Sequence, residues 1–323
     1  MQARLPSGTD AIPDRDVPIG RDGGSATPTI FIGRANGSAD ARRLGVQTRF
    51  VLLAAGDSPD LYQQAHGACL SLLGYAPSDS EIVVFTTRPD RFRWLAPMIR
   101  IEEIQPEQLR AWQGPRDYFY RAKFEAVRRA AALGPCHLVL LDADILVTRS
   151  LEPLIAALER GACVMHAAEK TLQGRKATRV ALQKVFGRCF AETPIGAKTM
   201  VFNSGVVGIP ASRRDLVERA MRCNDALLEA GVHYFAVEQV AWSAVLGASG
   251  KLELALPFVL HYWGNKRAFV KAINELLADA LISGWTPGEA AAHLTRRPLD
   301  LPLRRRDRWW HPWVASLLKI PIS

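Results

Sequence analysis

Apolar positions along the chain follow two rhythms that take turns. Short aliphatic and β-branched runs, TRFVLLAAG (48–56), EIVVFTT (81–87), MIRIEEI (98–104), HLVLL (137–141), ACVMHAAE (162–169) and TMVFNSGVVGIP (199–210), have the length and continuity of buried strands. Between them the spacing turns helical. Leu61, Ala65, Cys69, Leu72 and Leu73 form one stripe after Asp60, the expected N-cap, and residues 117–133 form a second helix that ends at Gly134-Pro135. SLEPLIAALERG stops at Gly161, and 212–247 reads as one long helical stretch. Strands alternating with helices predict an α/β fold: a mixed, mainly parallel sheet flanked by helices in one principal domain over 46–270.

The flanks differ from this body. Residues 1–45 are rich in Gly, Pro, Ser, Asp and Arg, which predicts a disordered leader. Residues 170–198 are rich in Lys, Arg and Gln with weak periodicity, which predicts a helical excursion or a flexible loop. Residues 271–323 read as a helical, basic and aromatic C-terminal extension.

One stretch breaks the apolar pattern. In HLVLLDADILVT (137–148), Asp142 and Asp144 interrupt what otherwise reads as a buried strand, where charge is costly unless paired or metal-bound. In an extended backbone residues i and i+2 share a face, about 6.5 Å apart at ~3.3 Å rise per residue. Both carboxylates can then serve one hard cation, Mg²⁺ or Mn²⁺, at the carboxyl end of a strand, where α/β sheets open their ligand crevices. The alternative is structural, with Asp142 as a turn residue and Asp144 as an N-cap or ion-pair partner.

Composition narrows the class. A chain of 323 residues with 48% hydrophobic and 23% charged residues is long enough, and apolar enough, to bury a sizeable core. The formal charge of +9 is uneven: residues 296–323 hold seven Lys/Arg against Asp300 and Asp307. A local basic device fits this better than a nucleic-acid-binding body. Five scattered cysteines with no CxxC pair predict a reducing compartment and no structural zinc. No apolar leader and no run of about 18 apolar residues is present, so a cytoplasmic location is expected.

Residues 48–270 resemble glycosyltransferase family 8, retaining hexosyltransferases of the GT-A fold that include glycogenin and bacterial lipopolysaccharide galactosyl- and glucosyltransferases. LDAD (141–144) is similar to the family's metal motif, which assigns Asp142 and Asp144 to Mn²⁺ or Mg²⁺. HYWGNKRAF (261–269) resembles its late His-Gly-Lys segment. That implies His261 as third ligand, Gly264 as the glycine beside the donor and Lys266 as the diphosphate contact. Lys266 stands one position early, and Arg267 competes with it for that role. GDSPDLY (56–62) resembles the family's first loop, implying base contacts from Tyr62 by stacking and from Asp57 or Asp60. YRAKFEA (120–126) resembles the helix before the acidic motif, implying that Arg121 and Lys123 face the donor. FNSGVVGI (202–209) matches the family's FNSGV, implying sugar contact by Asn203 and close backbone approach at Gly205. AVEQVAWSAVL (236–246) places Glu238 and Gln239 beside the sugar, where they would stabilise its cation.

The resemblance implies a UDP-sugar donor and a glycan or lipid-linked acceptor, and no nucleic acid. Two other classes share some of the pattern. A haloacid-dehalogenase-type phosphatase would use Asp142 as nucleophile, and a non-catalytic module would bind the nucleotide sugar alone. The tail LRRRDRWWHPWVASLLKIPIS (303–323) interleaves arginines with Trp309, Trp310 and Trp313. It suits either an anionic membrane surface, met by 304–323, or a helix packed back on the body.

Overall fold

The computed structural model describes residues 46–174, 176–297 and 299. The first apolar run forms β1 (Thr48–Ala54), followed by α1 (Pro59–Tyr75), β2 (Glu81–Thr86), β3 (Arg100–Glu103), α2 (Pro106–Gln113) and α3 (Ala122–Ala132). Next come β4 (His137–Leu141), the short β5 (Ile145–Val147), α4 (Glu152–Glu159), β6 (Cys163–Thr171), α5 (Lys176–Leu182) and a hairpin of β7 (Arg188–Phe190) and β8 (Thr193–Ile195). The chain continues through β9 (Met200–Ile209), α6 (Asp215–Glu229), α7 (Val237–Gly247), β10 (Leu252–Leu254), β11 (Val259–His261), α8 (Lys266–Ile282) and α9 (Pro287–Arg296).

Seven strands form one sheet in the order β10-β6-β9-β4-β1-β2-β3. β3, β2, β1 and β4 are parallel neighbours, and β9 runs antiparallel to both β4 and β6. The expected mixed, mainly parallel sheet is therefore present. Successive residues of each strand serve opposite faces, as the period of two requires. Val51, Val83, Leu138, Leu140 and Val207 join a core with Phe124 of α3 and Trp242 of α7, whose rings stack at 4.6 Å. Phe50, Leu52, Val84, Val139 and Leu141 join a second core with α1, α4 and α9.

Two expectations needed revision. Residues 117–121 precede the helix instead of opening it, because Asp117 takes φ +50 and a tight 3₁₀ turn follows. The stretch 212–247 is two helices, α6 and α7, broken at Gly231, which adopts φ +74. Asn203-Ser204-Gly205 lies inside strand β9, as the strand expected over 199–210 requires. α8 starts at Lys266, inside the segment expected to close the principal domain, and crosses α1 at Gly67, where a Cβ would lie 2.7 Å from Ile273. The excursion 170–198 is ordered as α5, a 3₁₀ turn and the β7–β8 hairpin. The leader 1–45 and the tail 304–323 lie outside the described residues.

Candidate metal and donor site

The acidic pair sits where β4 ends, but the extended spacing expected of it is absent. The backbone turns at Ala143 and Asp144, between β4 and β5. Ala143 points into the core. Two ladders then deliver partners from far along the chain. β11 pairs with β5, setting His261 opposite Ile145, and the Tyr262 N–H donates to the Asp144 carbonyl at 3.0 Å. On the other side the Asp142 N–H donates to the Gly205 carbonyl at 3.0 Å, extending the β4–β9 pairing.

The three groups converge. His261 Nε2 lies 3.2 Å from Asp144 Oδ1 and 3.8 Å from Asp142 Oδ2, and one ligand atom from each residue falls within 4.8 Å of the others. Octahedral bonds of about 2.1 Å put neighbouring ligands about 3 Å and opposite ones about 4 Å apart, so this spacing suits a small divalent ion.

Hydrogen bonding says which imidazole nitrogen faces the acids. Asn203 Oδ1 accepts the Gly205 N–H at 3.0 Å, so it is the oxygen of that amide. The same oxygen lies 2.7 Å from His261 Nδ1, which must therefore carry a proton and donate. Nε2 is therefore the nitrogen that faces the two carboxylates, able to donate a proton to them or, with its lone pair free, to join them as a metal ligand. Two carboxylates and a bare imidazole nitrogen thus fit a hard or borderline divalent metal. Gly205 makes the contact feasible, since a Cβ there would stand 2.3 Å from His261 Nδ1. Close approach at this glycine admits the imidazole, where the sequence suggested a sugar. Behind the ring, buried His166 meets it edge-on at 5.5 Å and bonds the Val259 carbonyl. Burial lowers the His166 pKa to about 4, so it stays neutral.

Two lysines flank the acids. Lys123, at the start of α3, places Nζ 2.5 Å from Asp142 Oδ1 and 3.7 Å from Glu238 Oε1. Burial alone would lower its pKa, but the charges of Asp142 and Glu238 outweigh that and raise it, so the ammonium persists. Lys266 lies 2.8 Å from Asp144 Oδ2 with its side chain 52% exposed. For Asp144 burial acts to raise the carboxyl pKa. The hydrogen bond and charge of His261, with Lys266, reverse this and hold it below the ordinary value.

The expected sugar-side residues separate into two tiers. Glu238 is buried, accepts from Ser204 Oγ at 3.2 Å and has a pKa pushed up to about 7 by burial. Its backbone N–H donates to the Tyr118 hydroxyl, which itself donates to the Phe235 carbonyl. Gln239 and Asn203 reach Glu169 instead, donating at 3.2 Å and 3.4 Å to its two oxygens. Glu169 was missed from sequence, although it follows the apolar run of β6 much as Asp142 follows β4. The two share a signal: an acid at the end of a strand.

Other expected residues are placed elsewhere. The Arg121 guanidinium is held by Asp225 at 2.9 Å, Glu125 at 3.1 Å and the Trp112 carbonyl, so it ties α3 to α6 instead of facing the cluster. Tyr62 is 4% exposed, edge-on to Phe92, with its hydroxyl on the Gly56 carbonyl. It packs the start of α1 and offers no free face for a base. Asp57 and Asp60 are exposed beside it, and nothing crowds the Cα of Gly264.

Asn203→Ala should weaken metal binding by roughly 10- to 100-fold, the usual effect of losing a residue that orients a ligand. Asn203→Asp, which still accepts from Nδ1, should lose much less. Calorimetric Mn²⁺ titration distinguishes them, and equal affinity in all three proteins would remove the orienting role.

Comparison with known proteins finds no matching family model and no matching curated protein. Among solved structures, the chain is similar to mouse xyloside xylosyltransferase 1 in its apo form. The match has 13% identity and a TM-score of 0.41, and covers 65% of this chain and 85% of that one.

Proposed function

We propose that this chain is a divalent-metal-dependent glycosyltransferase of the GT-A type, moving a hexose from a UDP-sugar to a glycan acceptor with retention. The observation that carries the proposal is the convergence of Asp142, Asp144 and His261 at a strand end, with Lys266 on its open side. Asp142, Asp144 and His261 would hold Mn²⁺ or Mg²⁺, which supplies positive charge to the diphosphate when bound. Lys266, half exposed, adds a solvent-facing cation for the departing diphosphate. Lys123 offsets the buried charge of Asp142 and Glu238, so Glu238 acts on the site through Lys123. Asn203 and Gln239 orient Glu169, and Gln239 with Glu169 would stabilise the positive charge that develops on the sugar. In the transfer the bond from sugar C1 to the diphosphate oxygen breaks and a bond to an acceptor oxygen forms. The acceptor proton passes to the departing phosphate.

The phosphatase alternative needs a second acidic pair beside the first. Among the described residues the ligand cluster of Asp142 and Asp144 is completed by His261 and includes no further acid. No described helix is long and apolar enough to cross a membrane. We assign contact with an anionic membrane surface, on composition, to 304–323.

Screening UDP-sugars for hydrolysis with Mn²⁺ or Mg²⁺ tests the class. Metal-dependent release of UDP from one of them supports it. Binding without turnover would make the chain a binding module, and release of phosphate from monoesters would make it a phosphatase. Within the active protein, Lys266→Ala is expected to lower kcat more than donor affinity, because its charge acts on the leaving group. Arg267→Ala is the comparison. If only the arginine variant is impaired in a full kcat and KM analysis, the phosphate role lies one position later.

A further inference from the structure

Residues 170–198 carry seven Lys/Arg against Glu192 alone, a net +6 in 29 residues. With +5 in the tail, the rest of the chain is net −2, so the excess charge is confined to two segments. A solvated face commonly mixes both signs. Here Lys170, Lys176, Arg179, Lys184, Arg188 and Lys198 are all exposed, and none is in an ion pair among the described residues. The segment's one acid, Glu192, faces Arg222 of α6 at 3.7 Å.

This is a built element beside the site. Its two legs are hydrogen-bonded, Leu172 N–H to the Thr199 carbonyl at 2.9 Å and Gln173 N–H to the Ala197 carbonyl at 3.1 Å. The hairpin turn at Ala191 and Glu192, both at positive φ, is clamped by Arg219 on the carbonyls of both residues. Thr171 pairs with Met200, three residues from Asn203, which is about 10 Å along a strand. Glu169, just before the excursion, already contacts Asn203 and Gln239. Lys184 Nζ bonds the Gly231 carbonyl, and Thr178 Oγ1 bonds the Tyr234 hydroxyl at 3.3 Å, so the same element reaches the segment leading to Glu238. There the exposed ring of Phe235 packs on Tyr234 at 4.9 Å, an apolar surface that can meet the C–H face of a sugar.

We propose that segment 170–198 docks an anionic acceptor, a glycan carrying phosphate or carboxylate groups near the hydroxyl to be modified. The proposal rests on the transferase reading above and adds the acceptor's chemical class. Cations one helical turn apart, Lys176 and Arg179 on α5, suit a doubly charged phosphate.

The test titrates maltotriose, maltotriose 6-phosphate and a hexuronic acid trisaccharide into the full chain and a Lys176→Glu/Arg179→Glu variant, at low and high salt. One or both charged sugars should bind at least tenfold tighter than maltotriose at low salt. The margin should shrink at high salt and vanish in the variant, whose UDP-sugar hydrolysis should be unchanged. Which charged sugar wins separates phosphate from carboxylate. Equal affinity for all three sugars, a preference that survives charge reversal, or equal grip on a short DNA duplex would overturn the proposal. A protein that shows the charge preference yet hydrolyses no UDP-sugar leaves the surface standing and fells the transferase reading.

Discussion

Asp144→Asn is expected to reduce Mn²⁺ affinity by about 100-fold or more and to abolish transfer, while the protein stays folded. Losing a residue that only orients a ligand already costs roughly 10- to 100-fold, and Asp144 is in the donor set itself. It holds His261 at 3.2 Å and Lys266 at 2.8 Å, so the amide also removes the charge that keeps both in place. Asp142→Asn should behave alike, with a milder effect on local order because Lys123 is its close partner at 2.5 Å while His261 stands off at 3.8 Å. Fold is checked by circular dichroism, metal by calorimetry and transfer by UDP release. Wild-type turnover of both variants in saturating Mn²⁺ would sink the assignment of these acids to a metal.

Lys123→Met should be the most damaging single change to stability at the site, costing about 3–5 kcal/mol, the range for removing one partner of a buried ion pair. Its buried ammonium bridges Asp142 and Glu238, and without it the buried Glu238 and the part-buried Asp142 lose the cation they share. Part of the loss should be recovered in Lys123→Met/Glu238→Gln, because the neutral amide no longer needs the cation. Denaturant unfolding of the metal-free proteins decides this. A Lys123→Met loss below about 1 kcal/mol, the value of an exposed pair, would show that the cluster is open to solvent. An additive double variant would show that Lys123 serves Asp142 alone.

Legibility differed between parts of the chain for physical reasons. Strands β1, β2, β4, β6 and β9 were readable because a buried strand must be apolar along its length, whichever neighbour it meets. The acidic pair was readable for the same reason in reverse, since charge in such a run is expensive and calls for an explanation. Helix ends at Asp117 and Gly231 were not, because a positive φ at a non-glycine, or a break between two helical stretches of similar pattern, leaves little mark on periodicity. Arg121 and Tyr62 sit in motif-like surroundings, yet their partners, Asp225 and Phe92, come from other elements. Spacing along a chain carries no information about such contacts.

The amino-acid sequence alone therefore determined the layered α/β class, the strand that ends in two acids, and the residue types able to bind a cation. Tertiary structure decided which of them meet. His261 lies 117 residues beyond Asp144 and reaches it only because β11 pairs with β5. Asn203 holds the imidazole only because β9 runs beside β4, and Glu169 joins through β6 on the other edge of β9. The cationic excursion borders the site because it leaves β6 and re-enters β9 about 10 Å from Asn203. Backbone pairing sets these distances, and side-chain chemistry then follows from what has been brought within reach.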